Sequence, residues 1–249
     1  MVFAHGFGCD QTMWRFIVPA FAQRWRVMTY DLVGMGGSDL SAYDRKKYAT
    51  LHGHADDLLE LVDACTPDKV VFVGHSVSAM IGLLAANKAP DRFAALVMVS
   101  PSPCYLNDGD YVGGFNAEDM EALLEGMDQD FLGWSATVAP MIMGAPGRPE
   151  LSMELIRSFS RNDVGIVRHW ARVAFLSDHR ADLAHCALPT LLLQCSDDLL
   201  VPGEVGLYLH RQLPGSVLEV IDNVGHCPHL SAADASCLAI ERFLARTLR

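Results

Sequence analysis

Gly74-His75-Ser76-Val77-Ser78 decides how this chain is read, because it sets a serine where an apolar strand must turn sharply into a helix. Ahead of it, Lys69-Val70-Val71-Phe72-Val73 is β-branched and aromatic, the composition of a buried strand. Behind it, Ala79-Met80-Ile81-Gly82-Leu83-Leu84-Ala85-Ala86 is rich in helix formers and stops at Asn87-Lys88-Ala89-Pro90. Strand, tight turn and helix in that order make a nucleophile elbow, which holds a serine hydroxyl above the sheet with a helix N-terminus behind it. A hydroxyl so placed can attack a carbonyl. The usual pattern G-x-S-x-G asks for glycine at 78, where this chain has Ser78. Serine is small, so close packing of helix on strand is expected to survive.

Working outward, short apolar runs alternate with helical patterns at both ends of the chain. Strands are predicted at Val2–Ala4, Trp25–Tyr30, Val70–Val73, Ala95–Ser100, Thr190–Gln194 and Val217–Ile221. Helices are predicted around Met13–Phe21, Leu51–Ala64, Ser78–Ala89, Glu204–Leu213 and Ala232–Leu248. That order specifies an α/β fold, a mostly parallel sheet flanked by helices on both faces. The middle has no strand pattern. Glu118–Met127, Asp130–Pro140, Glu150–Phe159 and Val164–Phe175 read as four helices, forming a cap inserted before the late strands. The expected division is a core of residues 1–106 and 185–249 with a helical cap at 107–184, inserted in the same domain. The first strand has nothing upstream to pair with it, which would leave a bare sheet edge. The expectation is that an N-terminal strand pair carried by relatives is missing here.

At 249 residues, 51% hydrophobic and 20% charged, the chain has the balance of one ordinary soluble domain. No apolar run reaches the roughly 20 residues of a helical membrane span. The N-terminus lacks a basic stretch followed by an apolar signal core, so a cytoplasmic location is the default. Seven scattered cysteines (Cys9, Cys65, Cys104, Cys186, Cys195, Cys227, Cys237) with no C-x-x-C spacing read as reduced, mostly buried side chains. A net charge of −11 argues against nucleic acid or an anionic membrane as partner.

A serine hydroxyl needs a base, and the base an orienting acid. Asp197-Asp198-Leu199-Leu200-Val201-Pro202 follows one predicted strand, and Gly225-His226-Cys227-Pro228-His229 follows the next. Loops beyond the C-terminal ends of parallel strands share one crevice, so Ser76, Asp198 and His226 can converge. Asp198 is preferred to Asp197 for its D-x-x-x-P spacing to Pro202, and His226 to His229 because Gly225 before it suits a tight turn. Oxyanion donors are expected from the backbone N–H of Val77 and of Phe7, in the loop after the first strand. Gly34-Met35-Gly36-Gly37 fits no phosphate-loop spacing and reads as a turn. His52-Gly53-His54 with Asp56-Asp57 reads as a solvated helix start, and no metal site is expected there or at His226-Cys227-Pro228-His229.

The chain resembles the α/β-hydrolase superfamily, and within it the RsbQ-type bacterial stress-response regulators, with plant karrikin and strigolactone receptor hydrolases as close cousins. His5-Gly6-Phe7-Gly8-Cys9-Asp10-Gln11, Tyr30-Asp31-Leu32-Val33-Gly34, Phe72 to Gly82, Ser102 to Asp108 and Gly225 to Ser231 carry the likeness. Ser78 is plant-like, whereas Cys9, Cys104 and Cys227 follow the bacterial branch. The resemblance implies a four-helix cap over an apolar pocket, with Ser76 as nucleophile, His226 as base and Asp198 as its partner. Phe7 and Val77 would supply the oxyanion N–H groups, and Phe115, Trp134 and Phe175 would wall the pocket. It implies no cofactor and a small hydrophobic ester or lactone as substrate. A regulatory role is the alternative, with slow hydrolysis or ligand capture signalling to a partner, in the bacterial branch a phosphatase of a stress sigma-factor pathway. A dehalogenase would carry aspartate in place of Ser76.

Overall fold

The computed structural model describes residues 1–248. Six strands, β1 (Val2–Ala4), β2 (Met28–Tyr30), β3 (Val70–His75), β4 (Phe93–Val99), β5 (Thr190–Asp197) and β6 (Ser216–Val224), form one sheet in the order β2-β1-β3-β4-β5-β6. Every neighbouring pair runs parallel. Alternation along β3 explains its place at the centre. Val71 and Val73 join the core on one face with Phe3, Trp14, Phe21 and Phe243. Val70 and Phe72 join the larger core on the other face with Leu58, Leu83 and Leu96. A strand buried on both sides needs apolar residues at consecutive positions, and β3 has them.

The bare edge predicted for β1 is corrected here. β1 is hydrogen-bonded on both sides, by β2 and β3, and the edges of this sheet are β2 and β6. The crossover after β1 carries the chain outward to β2, and the next returns it past β1 to β3.

The helices are α1 (Val18–Ala22), α2 (His52–Cys65), α3 (Val77–Lys88), α4 (Ala117–Gln129), α5 (Phe131–Met143), α6 (Pro149–Arg161), α7 (Val164–Phe175), α8 (Gly203–Gln212), α9 (Pro228–Ser231) and α10 (Ala233–Thr247). The single first helix predicted at Met13–Phe21 is broken into a 3₁₀ turn, Gln11–Trp14, and the short α1. Pro19 is the reason: it lacks the N–H that a continuous helix would need there and suits a first turn. α5 runs past Pro140 to Met143 and ends on Gly144 at φ +62°, a left-handed cap.

Helices α4 to α7 sit between β4 and β5 in sequence and are fastened to loops at the C-terminal edge of the sheet. Ser158 Oγ and Asn162 Nδ2 both donate to the Gly8 carbonyl, at 3.0 and 2.9 Å. Arg148 Nη1 donates to the Leu230 carbonyl at 3.1 Å. The His226 N–H donates to the Ile142 carbonyl at the end of α5, at 2.7 Å. These four helices are therefore tied to the loop after β1 and to the segment after β6 that holds His226.

Candidate active site

Ser76 joins β3 to α3 at φ +56°, ψ −123°, a conformation L residues rarely adopt. Such strain persists only where neighbours over-determine it. The Ser76 N–H donates to the Val99 carbonyl at 2.8 Å, tying the turn to β4. A Cβ on Gly74 would stand 2.5 Å from the Ser78 carbonyl oxygen, and one on Gly6 would stand 2.5 Å from His75 Nδ1. Both glycines are what the close approach demands. Gly82 does the same one turn on, where a Cβ would meet the Phe72 ring at 2.3 Å. Ser78, the departure from the usual pattern, is fully buried and its hydroxyl donates to the His5 carbonyl. The substitution of serine for glycine thus adds a bond between α3 and the end of β1.

Three side chains from three strand ends meet above this turn. His226 Nε2 lies 2.8 Å from Ser76 Oγ, and His226 Nδ1 lies 2.7 Å from Asp198 Oδ2. Asp198 Oδ1 accepts the Leu200 and Val201 backbone N–H groups at 2.9 and 3.2 Å, so the carboxylate is held in one orientation. The His226 and Asp198 side chains are 3% and 0% exposed, which strengthens every charge interaction between them. Asp197 is exposed and contributes its carbonyl instead, accepting the Gly225 N–H at 2.7 Å. Gly225 at φ +102° is required where the loop meets α5, since a Cβ would stand 2.1 Å from the Met143 carbonyl oxygen. His229 is turned away and lies fully buried between Trp14 and His75, at ring-centroid distances of 4.7 and 4.3 Å. The arrangement can pass a proton from the hydroxyl to a buried imidazole whose other nitrogen faces a carboxylate.

Val77 opens α3, where backbone N–H groups have no intrahelical acceptor and the helix dipole favours negative charge. Phe7 follows β1 at the same edge. Its ring is packed edge-on against Phe159 (6.0 Å) and Phe175 (5.3 Å), and Trp134 stacks on Phe159 at 5.8 Å. Trp134 and Phe175 thus belong to one chain of aromatic contacts beside Ser76. Phe115 stands outside it: its N–H donates to the Tyr105 carbonyl and its carbonyl accepts from Asn107. Two residues of this site are not found by the sequence reading. Phe159 closes the aromatic chain, and Tyr105 brings a hydroxyl to 3.3 Å from Ser76 Oγ. Tyr105 had a usable signal, since it lies shortly after a predicted strand, in a loop at the same rim as Ser76.

Comparison with known proteins agrees with this architecture. A sequence model described as the alpha/beta hydrolase family matches residues 1–237. This chain belongs to the alpha/beta hydrolase family. The "Karrikin insensitive 2 receptor CA" of Petunia hybrida is 38% identical over 94% of this chain and 87% of its own length. The "Strigolactone esterase D14" of Arabidopsis thaliana is 37% identical over 98% of this chain and 91% of its own. Among solved structures, a hydrolase from Oleispira antarctica superposes with a TM-score of 0.95 at 39% identity, covering 98% of this chain and 90% of that one.

This hydrolase also buries several imidazoles. His75, Cys227 and His229 have ligand-type atoms all within 4.8 Å of one another. Burial holds the Cys227 thiol protonated, far above its usual range, and pushes His229 down to about 3. Metal binding needs a thiolate, so the cluster as it stands has the chemistry of neutral, packed groups. His54 corrects a second expectation. α2 does begin at His52, but His54 is fully buried between the Tyr48 and Trp170 rings, each at 4.5 Å, and is not solvated. Its pKa is likewise pushed down to about 3, chiefly by burial.

These two histidines predict acid lability. In the folded hydrolase both stay neutral down to about 3, whereas in the unfolded chain they take up protons near 6.5. Within that window the unfolded state binds more protons, so stability falls as pH falls. Each histidine is expected to cost about 2 kcal/mol on going from pH 7 to pH 5. Denaturant unfolding at the two pH values measures this, and His54→Phe should flatten the dependence. Equal stability at both pH values would reject the account.

The helices include none long and apolar enough to cross a membrane, among the described residues.

Proposed function

We propose that this chain hydrolyses small hydrophobic esters or lactones through an acyl-enzyme intermediate, with Ser76 as nucleophile, His226 as base and Asp198 as its orienting partner. The observation that carries this reading is the unbroken line Ser76–His226–Asp198, with contacts of 2.8 and 2.7 Å. As Oγ attacks the acyl carbon, its proton passes to His226 Nε2, and Asp198 stabilises the imidazolium. The negative charge on the carbonyl oxygen is met by the N–H groups of Val77 and Phe7, worth about 3 kcal/mol each in comparable sites. The intermediate collapses, His226 returns the proton to the departing oxygen, and water repeats the sequence to free Ser76. The reaction needs no cofactor. Phe7, Phe159, Phe175 and Trp134 favour an apolar acyl or ring portion. In this reading residues 1–106 and 185–249 form the core and 107–184 the cap that covers the substrate. The unpaired state of all seven cysteines supports a cytoplasmic setting.

The test is turnover by the purified protein of a panel of p-nitrophenyl esters and simple lactones, with labelling by a fluorophosphonate and peptide mapping. Hydrolysis of short esters and a single adduct on Ser76 are expected. No turnover of any substrate, or an adduct elsewhere, would overturn the assignment.

A second reading is favoured by the similarity to a protein named as a karrikin insensitive receptor. Here the same hydrolytic site senses a small ligand and reports to a protein partner, of the regulatory phosphatase type in the RsbQ-like case. Turnover far below the common enzyme value of about 10 per second, with ligand retained, would favour it.

A further inference from the structure

The loop after β4 carries a hydroxyl that the three-residue line does not use. Tyr105 is buried, its ring packs edge-on against Phe175 at 5.3 Å, and its hydroxyl stands 3.3 Å from Ser76 Oγ. Ser76 has a single proton, and in the reactive arrangement that proton points to His226 Nε2 at 2.8 Å. The contact with Tyr105 must then run the other way, with the phenol donating to Oγ. At 3.3 Å it is longer than the roughly 2.7–2.8 Å usual for O–H···O bonds, so a nearer oxygen can take it over. Burial pushes the phenol up to about 12, which keeps it a donor at neutral pH.

Sheet order decides which substrate oxygen that is. β1, with Phe7 beyond it, lies on one side of β3, while β4, β5 and β6 lie on the other. The backbone donors Val77 and Phe7 turn the carbonyl oxygen toward the β1 side. The departing oxygen must face His226, and Tyr105 comes from that same side. Its loop is held firmly: Phe115 N–H donates to the Tyr105 carbonyl at 3.1 Å, and the hydroxyls of Tyr111 and Ser102 donate to the Cys104 carbonyl at 2.7 and 2.9 Å. Once Oγ is bonded to an acyl carbon it accepts hydrogen bonds poorly. Among apolar rings, the phenol then finds its partner on the substrate or goes without.

We propose that Tyr105 is a catalytic residue whose hydroxyl passes from Ser76 Oγ to the departing oxygen of the ester or lactone, fitting the site to substrates with poor leaving groups. This deepens the esterase reading and rests on it. As the tetrahedral intermediate collapses, the bond from the acyl carbon to the departing oxygen breaks and its electron pair stays on that oxygen. His226 Nε2 supplies the proton. Tyr105 supplies a hydrogen bond and keeps its own proton.

Tyr105→Phe retains the ring against Phe175 and removes only the donor. It should be compared with wild type on p-nitrophenyl, phenyl and ethyl acetate, with melting temperature as a check on the fold. We expect kcat/KM to fall least for p-nitrophenyl acetate, because that leaving group departs unaided. Phenyl and ethyl acetate should lose at least about tenfold, mostly in kcat, giving a steeper dependence on leaving-group acidity. An equal loss on all three, total inactivity included, would make Tyr105 a support for Ser76 and overturn the proposal. No loss on any would overturn it as well. A wild type that hydrolyses none of the three would instead remove the esterase reading, and this proposal with it.

Discussion

Ser76→Ala is expected to reduce ester turnover by a factor on the order of 10⁶ while the protein stays folded. Without Oγ there is no atom for the acyl carbon to bond, and His226 Nε2 loses the proton it is placed to receive at 2.8 Å. Any residual rate would come from the oxyanion donors and from binding alone. The fold should hold because the turn is fixed by backbone contacts, Ser76 N–H to the Val99 carbonyl among them, and alanine keeps the Cβ already accommodated there. The cost to stability is limited to leaving the His226 and Tyr105 polar atoms short of a partner, about 1–3 kcal/mol. Steady-state kinetics with p-nitrophenyl acetate and a thermal melt check both halves. Activity near the wild-type level would take Ser76 out of the mechanism.

Asp198→Asn should cut kcat by about 10⁴, and Asp197→Asn by no more than a few-fold. Asp198 Oδ1 accepts two backbone N–H groups, so in the asparagine variant the amide oxygen must stay at that position. The amide nitrogen then faces His226 Nδ1, 2.7 Å from where Oδ2 stood. Both an N–H donor and the imidazole must accommodate each other, which forces Nδ1 to accept and Nε2 to carry the proton. An imidazole protonated at Nε2 cannot take the hydroxyl proton of Ser76. Asp197 is exposed and joins the site only through its carbonyl, which asparagine preserves. Kinetics of the two variants side by side decide the matter, and the reverse pattern would transfer the role to Asp197.

In the sequence, the spacing of Asp198 from Pro202 and the glycine before His226 favour these residues over Asp197 and His229, and in the structure Asp198 and His226 are the two in contact with each other. The carboxylate of Asp198 is aimed by the turn that leads to Pro202, whereas the His229 ring is walled in between Trp14 and His75. Strand positions were legible because β3 to β6 carry consecutive apolar residues. Their ends were not, since β5 and β6 run on through polar residues to Asp197 and Val224. There, backbone pairing along the sheet outweighs the local composition. His54 reads as solvated in the sequence because His52, Asp56 and Asp57 of the same segment are polar, while its neighbours in space are Tyr48 and Trp170.

Local chemistry of the chain, then, determined the strand–serine–helix turn, the alternation of elements and the order of the three reactive residue types, because each depends on residues a few positions apart. Which hydroxyls stand beside one another, which imidazole is sealed from water and which strand lies at the rim depend on residues distant in the chain, such as Ser76 and Tyr105 or Trp14 and His229. Tyr105 reaches Ser76, and β1 gains neighbours on both sides, only after the crossovers have brought distant strand ends to one edge of the sheet. Such adjacency is a property of packing, and no window along the sequence contains it.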